Sequence, residues 1–264
     1  MSKEPIVLDM EATLDRLLEE GCSLSRFGDG ELKLAYRKKS LRFQPVSKAI
    51  VQGLADALEY GRPGYVPCFN FQFMAQFDWI RLAGYERYAT SSGTRISLEK
   101  PDDAVVLHRR KATLEYRAYW RRVQKTSRIP VFGSAGVFFL AFYIEAYRAG
   151  RMEEVLGKFR TLFNGRRILF VAPVKPMGGQ SFADQLPLMQ QLGLRSAQFI
   201  SVPEADAFAA TDRVMAEIGQ ARGYDDIFIS AGPAASVWAH QLAGRGSGRV
   251  LDVGSFNTQL RYLL

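Results

Sequence analysis

The sequence predicts an α/β fold: a single Rossmann-like domain over residues 1–264, with a mainly parallel sheet flanked by helices. Three observations carry this. The second half of the chain alternates short apolar runs with helical patterns, the order that builds a parallel sheet covered on both faces. The apolar runs are of strand length, roughly four to eight residues. Strand-like runs also occur in the first half, so one continuous sheet is expected.

The elements follow in order. Asp9–Glu20 is amphipathic and reads as a helix, Ser23–Phe27 as a strand, and Val46–Tyr60 as a helix. "RIPVFGSAG" reads as a buried strand that leads into a helix over Val137–Ala149. "RRILFVAP", Arg166–Pro173, is a buried strand, followed by the helix "SFADQLPLMQQLG". "SAQFISVP" is a strand, and "DAFAATDRVMAEIGQARG" carries apolar residues at helical spacing. "DDIFISAG" is a strand, "PAASVWAHQLAGRG" a helix and "GRVLDVGS" a last short strand. Ligands of such sheets bind beyond the carboxyl ends of the strands. The places to look are therefore just after Phe27, Phe132, Val171, Val202, Ser230 and Val253.

Composition narrows the class of partner. The net charge of +8 favours anionic ones. No apolar run reaches the roughly 20 residues of a membrane span. The acidic, amphipathic start lacks the pattern of a secretory signal, so a cytoplasmic protein is expected. Cys22 and Cys68 fit neither a disulfide framework nor a zinc site, and each reads as a small buried apolar residue. Much of the excess charge lies in His108–Arg128, where no nucleic-acid-binding signature appears, so nucleic acid is not the expected partner. Tyr116, Tyr119 and Trp120 are interleaved there with arginines. That mix suits contact with the inner membrane surface; the competing reading is a solvated basic face with its aromatics on the core. His240 lies in an apolar helix and reads as structural.

Four stretches could carry chemistry. "SLSRFGDGEL" places Asp29 and Glu31 one residue apart, each after a glycine, with Arg26 upstream. Asp-Gly alone is a hairpin signal, but a turn does not need the second acid. Two close carboxylates repel, and a shared cation relieves this. Hard cations such as Mn²⁺ and Mg²⁺ take oxygen ligands and share their shells with phosphates. Arg26 could hold a phosphate oxygen beside Gly28. In "SAGPAAS", Ser230, Gly232 and Pro233 form a strand-to-helix turn whose free N–H groups suit a phosphate, although an ordinary turn has the same residues. In "VAPVKPMGGQS", Lys175 could close over a phosphate or stand on a structural connection. Asp206 reads first as a helix N-cap and second as a ligand contact.

"SLSRFGDGEL" is very similar to the S-x-S-R-[FY]-G-D-G-E motif of the GT-D-fold glycosyltransferases, a bacterial family once of unknown function. "VFGSAGVFFLAFY" falls where that family has a strand entering a helix. "VPEADAF" resembles its P-x-x-N-A-F segment, with Asp206 at the asparagine position. "IFISAGPAASVWAHQLAGRGSGRVLDVG" resembles its G-P-x-A stretch and the D-I-G that follows. The matches run from Ser23 to Gly254. The resemblance implies a metal-dependent transferase moving a hexose from a nucleotide sugar, UDP-linked in the family. The acceptor would be a glycan, glycoprotein or lipid-linked glycan. It implies Asp29 and Glu31 as ligands of Mn²⁺ or Mg²⁺, with Arg26, Gly232 and their neighbours on the nucleotide diphosphate. One departure stands out. After D-I-G the family often continues H-x-D-x-E, where this chain has Ser255, Asn257 and Gln259. Amides cannot accept a proton as carboxylates do; if those acids supply the base in relatives, this chain must use another group, with Asp252 the candidate, or else work slowly or with a different acceptor geometry. Two other readings stay open: a metal-dependent nucleotide-sugar hydrolase, and a non-catalytic binder of nucleotide sugars or nucleic acid.

Overall fold

In the computed structural model, residues 5–69, 86–90, 93–97, 103–138, 146, 150–174, 182–246 and 248–254 are described. The strands, in chain order, are β1 (Ile6–Val7), β2 (Ser23–Phe27), β3 (Tyr65–Phe69), β4 (Glu86–Thr90), β5 (Gly93–Ser97), β6 (Val131–Ser134), β7 (Arg167–Pro173), β8 (Ser196–Val202), β9 (Asp226–Ile229) and β10 (Val250–Asp252). The α-helices are α1 (Met10–Glu19), α2 (Asp29–Leu32), α3 (Lys48–Glu59), α4 (Asp103–Thr126), α5 (Met152–Phe163), α6 (Phe182–Gln191), α7 (Thr211–Gln220) and α8 (Pro233–Leu242). Among the described residues no helix is long and apolar enough to cross a membrane.

Local sequence explains several of these boundaries. Asp9 Oδ1 accepts a hydrogen bond from Ala12 N at 2.8 Å and caps α1. Ser47 Oγ does the same for Ile50 N of α3, at 3.3 Å. Both side chains satisfy N–H groups that have no partner inside the helix. The hairpin β4–β5 and the strands β1 and β3 are additions to the sequence reading. β3 is hidden by Pro67, which removes a ladder donor and argues against a central strand. The structure nevertheless places β3 between β2 and β6.

Eight strands form one sheet in the order β1–β6–β3–β2–β10–β9–β7–β8, and every neighbouring pair is parallel. The α/β class and the parallel sheet are those the sequence predicts. Leu24, Phe170, Phe228 and Leu251 meet α1, α5 and α6 on one face. Phe27, Phe69 and Phe132 meet α3, α4 and Val237 of α8 on the other. Leu169, Ile227 and Val250 pack there on α7 and α8. Cys22 and Cys68 are free and buried, as expected. His240 is 4% exposed, with Nε2 at 3.0 Å from Tyr60 O.

The order of strands positions the site. β2 continues to β3 on one side, whereas its other neighbour, β10, comes from the last part of the chain. The crevice beyond the carboxyl ends of β2 and β10 lies at the edge where α/β sheets bind ligands. At the opposite edge, Arg249 makes a two-pronged pair with Asp226, at 2.9 Å and 2.6 Å, both groups buried.

Candidate functional site at the β2–β10 crevice

β2 runs into the site as Arg26-Phe27-Gly28, and the chain turns at once into α2. The Asp-Gly pair therefore starts a helix and makes no hairpin. Gly28 is the N-cap, and its N–H donates to Glu31 Oε2 at 2.9 Å. Asp29 is the first residue of the helix, and its Oδ2 accepts from Lys33 Nζ at 2.6 Å. Because the segment is helical, residues two apart point about 200° apart. Glu31 turns inward toward Arg26 and Asp252; Asp29 is exposed and turns toward Lys33. The two carboxylates do not converge as a flexible loop would allow. Both still act on one neighbour, Tyr116 of α4, whose hydroxyl is held far above its ordinary range, first by burial and then by their charges.

Burial raises the pKa of the part-buried Glu31 to about 7, and the charge of Asp252 adds to the rise. Its ionised form thus lacks a full counter-charge. Asp252 is also raised, chiefly by burial, with Arg26 opposing. Asp252 Oδ2 accepts from Arg26 N at 3.1 Å and from Ser236 Oγ at 2.8 Å. Its Oδ1 accepts from Gly254 N at 3.2 Å and lies 3.6 Å from Arg26 Nε. At 3% exposure, the candidate base is enclosed by these bonds.

Ser236 is the residue that sequence reasoning missed. It lies on the first turn of α8 and is wholly buried. Its hydroxyl sits 2.8 Å from both Arg26 O and Asp252 Oδ2, and its carbonyl accepts from Ser25 Oγ at 2.6 Å. This ties α8 to β2 and β10. No local pattern announces such a serine, since its partners lie far off in sequence. Gly254 is required as well: it has φ +48°, and a Cβ there would run into the Arg26 guanidinium.

The remaining predicted residues that are described fall at the same edge. Ser230 Oγ donates to Gly254 O at 2.6 Å and so pins the end of β10. Gly232 begins α8 with φ +55°, no side chain caps the helix, and Pro233 follows as its first residue. Asp206 does not act as an N-cap. Its backbone is left-handed, with φ 52°, and its side chain makes no capping bond. Its Oδ1 instead accepts from Gln44 Nε2 at 2.8 Å, and its N–H donates to Phe43 O at 2.7 Å. Phe43 in turn leans on Gly232, 3.0 Å from where a Cβ would stand. Asp206 thereby reaches the α8 turn indirectly. Lys175, Ser255, Asn257 and Gln259 lie outside the described residues.

The site's donors are those a hard divalent cation prefers. They are all oxygen: Glu31 is under-compensated, and Asp29 is held by a partly exposed ion pair with Lys33, a type of contact worth under about 1 kcal/mol. Exchanging Lys33 for a cation would cost little. Among the described residues no group of three or more His, Cys, Asp or Glu forms a ready-made cage. That suits a cation completing its shell from phosphate and water. The oxygen donors suit such an ion in kind, but the helical turn of α2 points the two carboxylates apart, so they do not chelate one ion in this conformation.

No protein-family model matches the sequence, and no curated protein matches it. Solved structures do. One is described as "the highly conserved domain of unknown function 1792 has a distinct glycosyltransferase fold"; it aligns with TM-score 0.67 at 17% identity, over 98% of this chain and 81% of that one. A selenomethionine structure of domain of unknown function 1792 gives the same figures, TM-score 0.67 and 17% identity. "A new glycosyltransferase (DUF1792) from Streptococcus sanguinis" aligns with TM-score 0.66 at 19% identity, over 98% of this chain and 84% of that one. The motif resemblance and the three-dimensional likeness point to one architecture: this chain has the distinct glycosyltransferase fold of domain of unknown function 1792.

Proposed function

We propose that the protein is a metal-dependent glycosyltransferase that takes a hexose from a nucleotide sugar, UDP-linked, and passes it to a glycan, glycoprotein or lipid-linked acceptor. The observation that carries this reading is the meeting of Glu31, Arg26 and the uncapped start of α8 at the carboxyl edge of a glycosyltransferase fold.

Asp29 and Glu31 would hold Mn²⁺ or Mg²⁺ once α2 rearranges to bring the two carboxylates together, and the ion would supply Lewis-acid stabilisation of the leaving diphosphate. The chain's own groups do the rest. Arg26, held at Gly254 by Asp252, offers a cation to the phosphate oxygens. The first turn of α8 offers N–H groups and the positive end of its dipole. Ser230 and Ser236 fix the ends of β2 and β10, so these donors are in place before the ligand arrives. Asp252 has its oxygens committed inside the protein, which suits a positioning role better than that of a base.

The test is calorimetric titration of the parent, Asp29→Asn and Glu31→Gln with UDP in the presence and absence of Mn²⁺. Metal-dependent binding in the parent, lost in both variants, is expected; metal dependence unchanged in both would refute the assignment. Thermal shifts with UDP-, GDP- and TDP-sugars then rank donors, since a ligand at a hundredfold its Kd adds about 2.7 kcal/mol.

A further inference from the structure

The basic segment on α4 does not carry the aromatic belt that its sequence suggests. Tyr116 and Tyr119 are 1% and 7% exposed, and Trp120 packs between Phe69 and Phe132, with ring centroids at 5.3 Å and 5.2 Å. The core takes the rings, as the competing solvated-face reading has it. What stays outside is Leu114, 65% exposed, with Arg117, Arg121 and Lys125 following it at helical spacing.

A second basic segment joins this stripe, and the sequence alone gives no reason to connect the two. After α2 the chain makes a wide turn, Lys33–Arg37, and breaks at Lys38, which is left-handed with φ 51°. Arg37, Lys38, Lys39 and Arg42 are all exposed. Arg37 bonds Glu115 of α4 at 3.1 Å. Tyr36 stacks on Tyr119 at 5.7 Å, and the Arg122 guanidinium lies 4.6 Å from the Tyr36 ring. The two segments therefore form one surface. Between Leu114 and Thr126 of α4 the acid is Glu115, and it is spent on Arg37. This surface borders the site directly, since Lys33 of the wide turn holds Asp29.

We infer that this face, formed by the 37–42 loop and the outer side of α4, docks on an anionic phospholipid surface. Charge complementarity argues for it: Arg37, Lys38, Lys39, Arg42, Arg117, Arg121 and Lys125 are exposed together. The buried rings argue against single-stranded nucleic acid, which needs exposed aromatic platforms for its bases. An exposed leucine beside arginines suits the headgroup boundary. Docked this way, the edge holding Asp29 lies next to the bilayer, where a lipid-linked acceptor would be presented. That last consequence rests on the proposed transferase activity; the docking itself does not.

The experiment is co-sedimentation of the full chain with vesicles of phosphatidylcholine alone and of phosphatidylcholine mixed with phosphatidylglycerol, at low and high salt. Binding only to the mixed vesicles, weakened by salt, is expected. Each neutralised residue should lower partitioning about fivefold, so the triple variant Lys38→Gln, Lys39→Gln, Arg42→Gln should lose about two orders of magnitude. Arg117→Gln with Arg121→Gln should lose more than tenfold. A matched pair on the opposite face of the sheet, Arg160→Gln with Arg195→Gln, should keep parental binding. No sedimentation of the parent at low salt, or equal losses in the matched pair, overturns the inference. So does a random oligonucleotide that binds the parent and displaces it from the vesicles. UDP titration of the same variants separates the two readings: a parent that binds vesicles but no nucleotide defeats the transferase reading and leaves the docking surface standing.

Discussion

Glu31 sets a pH dependence whose direction can be stated. Its carboxyl has an ordinary pKa of 4.5 and is raised by burial to about 7 in the folded protein. The fold thus favours the protonated form. The associated stability is fully present below the unfolded value and is lost as pH rises through the folded one. Melting temperature should fall between about pH 4.5 and pH 7 by an amount that Glu31→Gln removes; a melting curve series that slopes equally in both proteins would contradict this. A cation and a proton compete for the same oxygens, so the Mn²⁺-dependent part of UDP affinity should climb over that pH range. Ser236 gives a second test. Ser236→Ala takes the hydroxyl from Arg26 O and Asp252 Oδ2, two buried acceptors, and should cost about 1–3 kcal/mol in urea unfolding. If Ser236 positions Arg26, the variant should also bind UDP more weakly while its affinity for uridine stays the same. An equal loss for both ligands would show a purely structural role.

At the scale of elements, α8 joins site to scaffold. Its start needs a residue that tolerates φ +55° and leaves room for Phe43, and glycine meets both demands. Gly232→Ala should cost about 1–3 kcal/mol in urea unfolding from the backbone alone, because φ +55° with ψ −141° is a conformation reserved for glycine. It should also displace the N–H groups of the first turn, so UDP affinity should drop together with stability. Unchanged affinity in a destabilised variant would move the phosphate elsewhere. The neighbouring Gln44–Asp206 contact shows how a local rule is overridden. Aspartate before a helix caps it in most settings, yet here the left-handed backbone at Asp206 turns the carboxylate to Gln44.

Across the whole molecule the two edges of the sheet do different work. The carboxyl edge holds the site; the amino edge is locked by Arg249 on Asp226, with further bonds to Leu17 O and Leu162 O at 3.4 Å. Arg249→Ala would leave a buried carboxylate without its partner, a change that costs about 3–5 kcal/mol. Thermal unfolding should show that loss, while UDP affinity of the protein that remains folded should match the parent. A selective loss of nucleotide binding would mean that the edges are coupled.

The α/β class, the parallel sheet and most strand and helix positions are legible in the sequence, because hydrophobic period and capping residues are local signals. The sequence also placed Asp29, Glu31, Arg26, Gly232 and Asp252 at strand ends, where a sheet of this kind gathers its ligand-binding groups. Long-range packing runs β3 through Pro67 and returns β10 to lie beside β2. It alone brought Ser236 under Arg26, turned Asp29 and Glu31 apart, and laid the 37–42 loop against α4 while the rings of α4 went to the core. Those outcomes depend on contacts between residues up to about two hundred positions apart, such as Ser236 with Arg26. Local periodicity carries no record of such partners, and packing alone selects them.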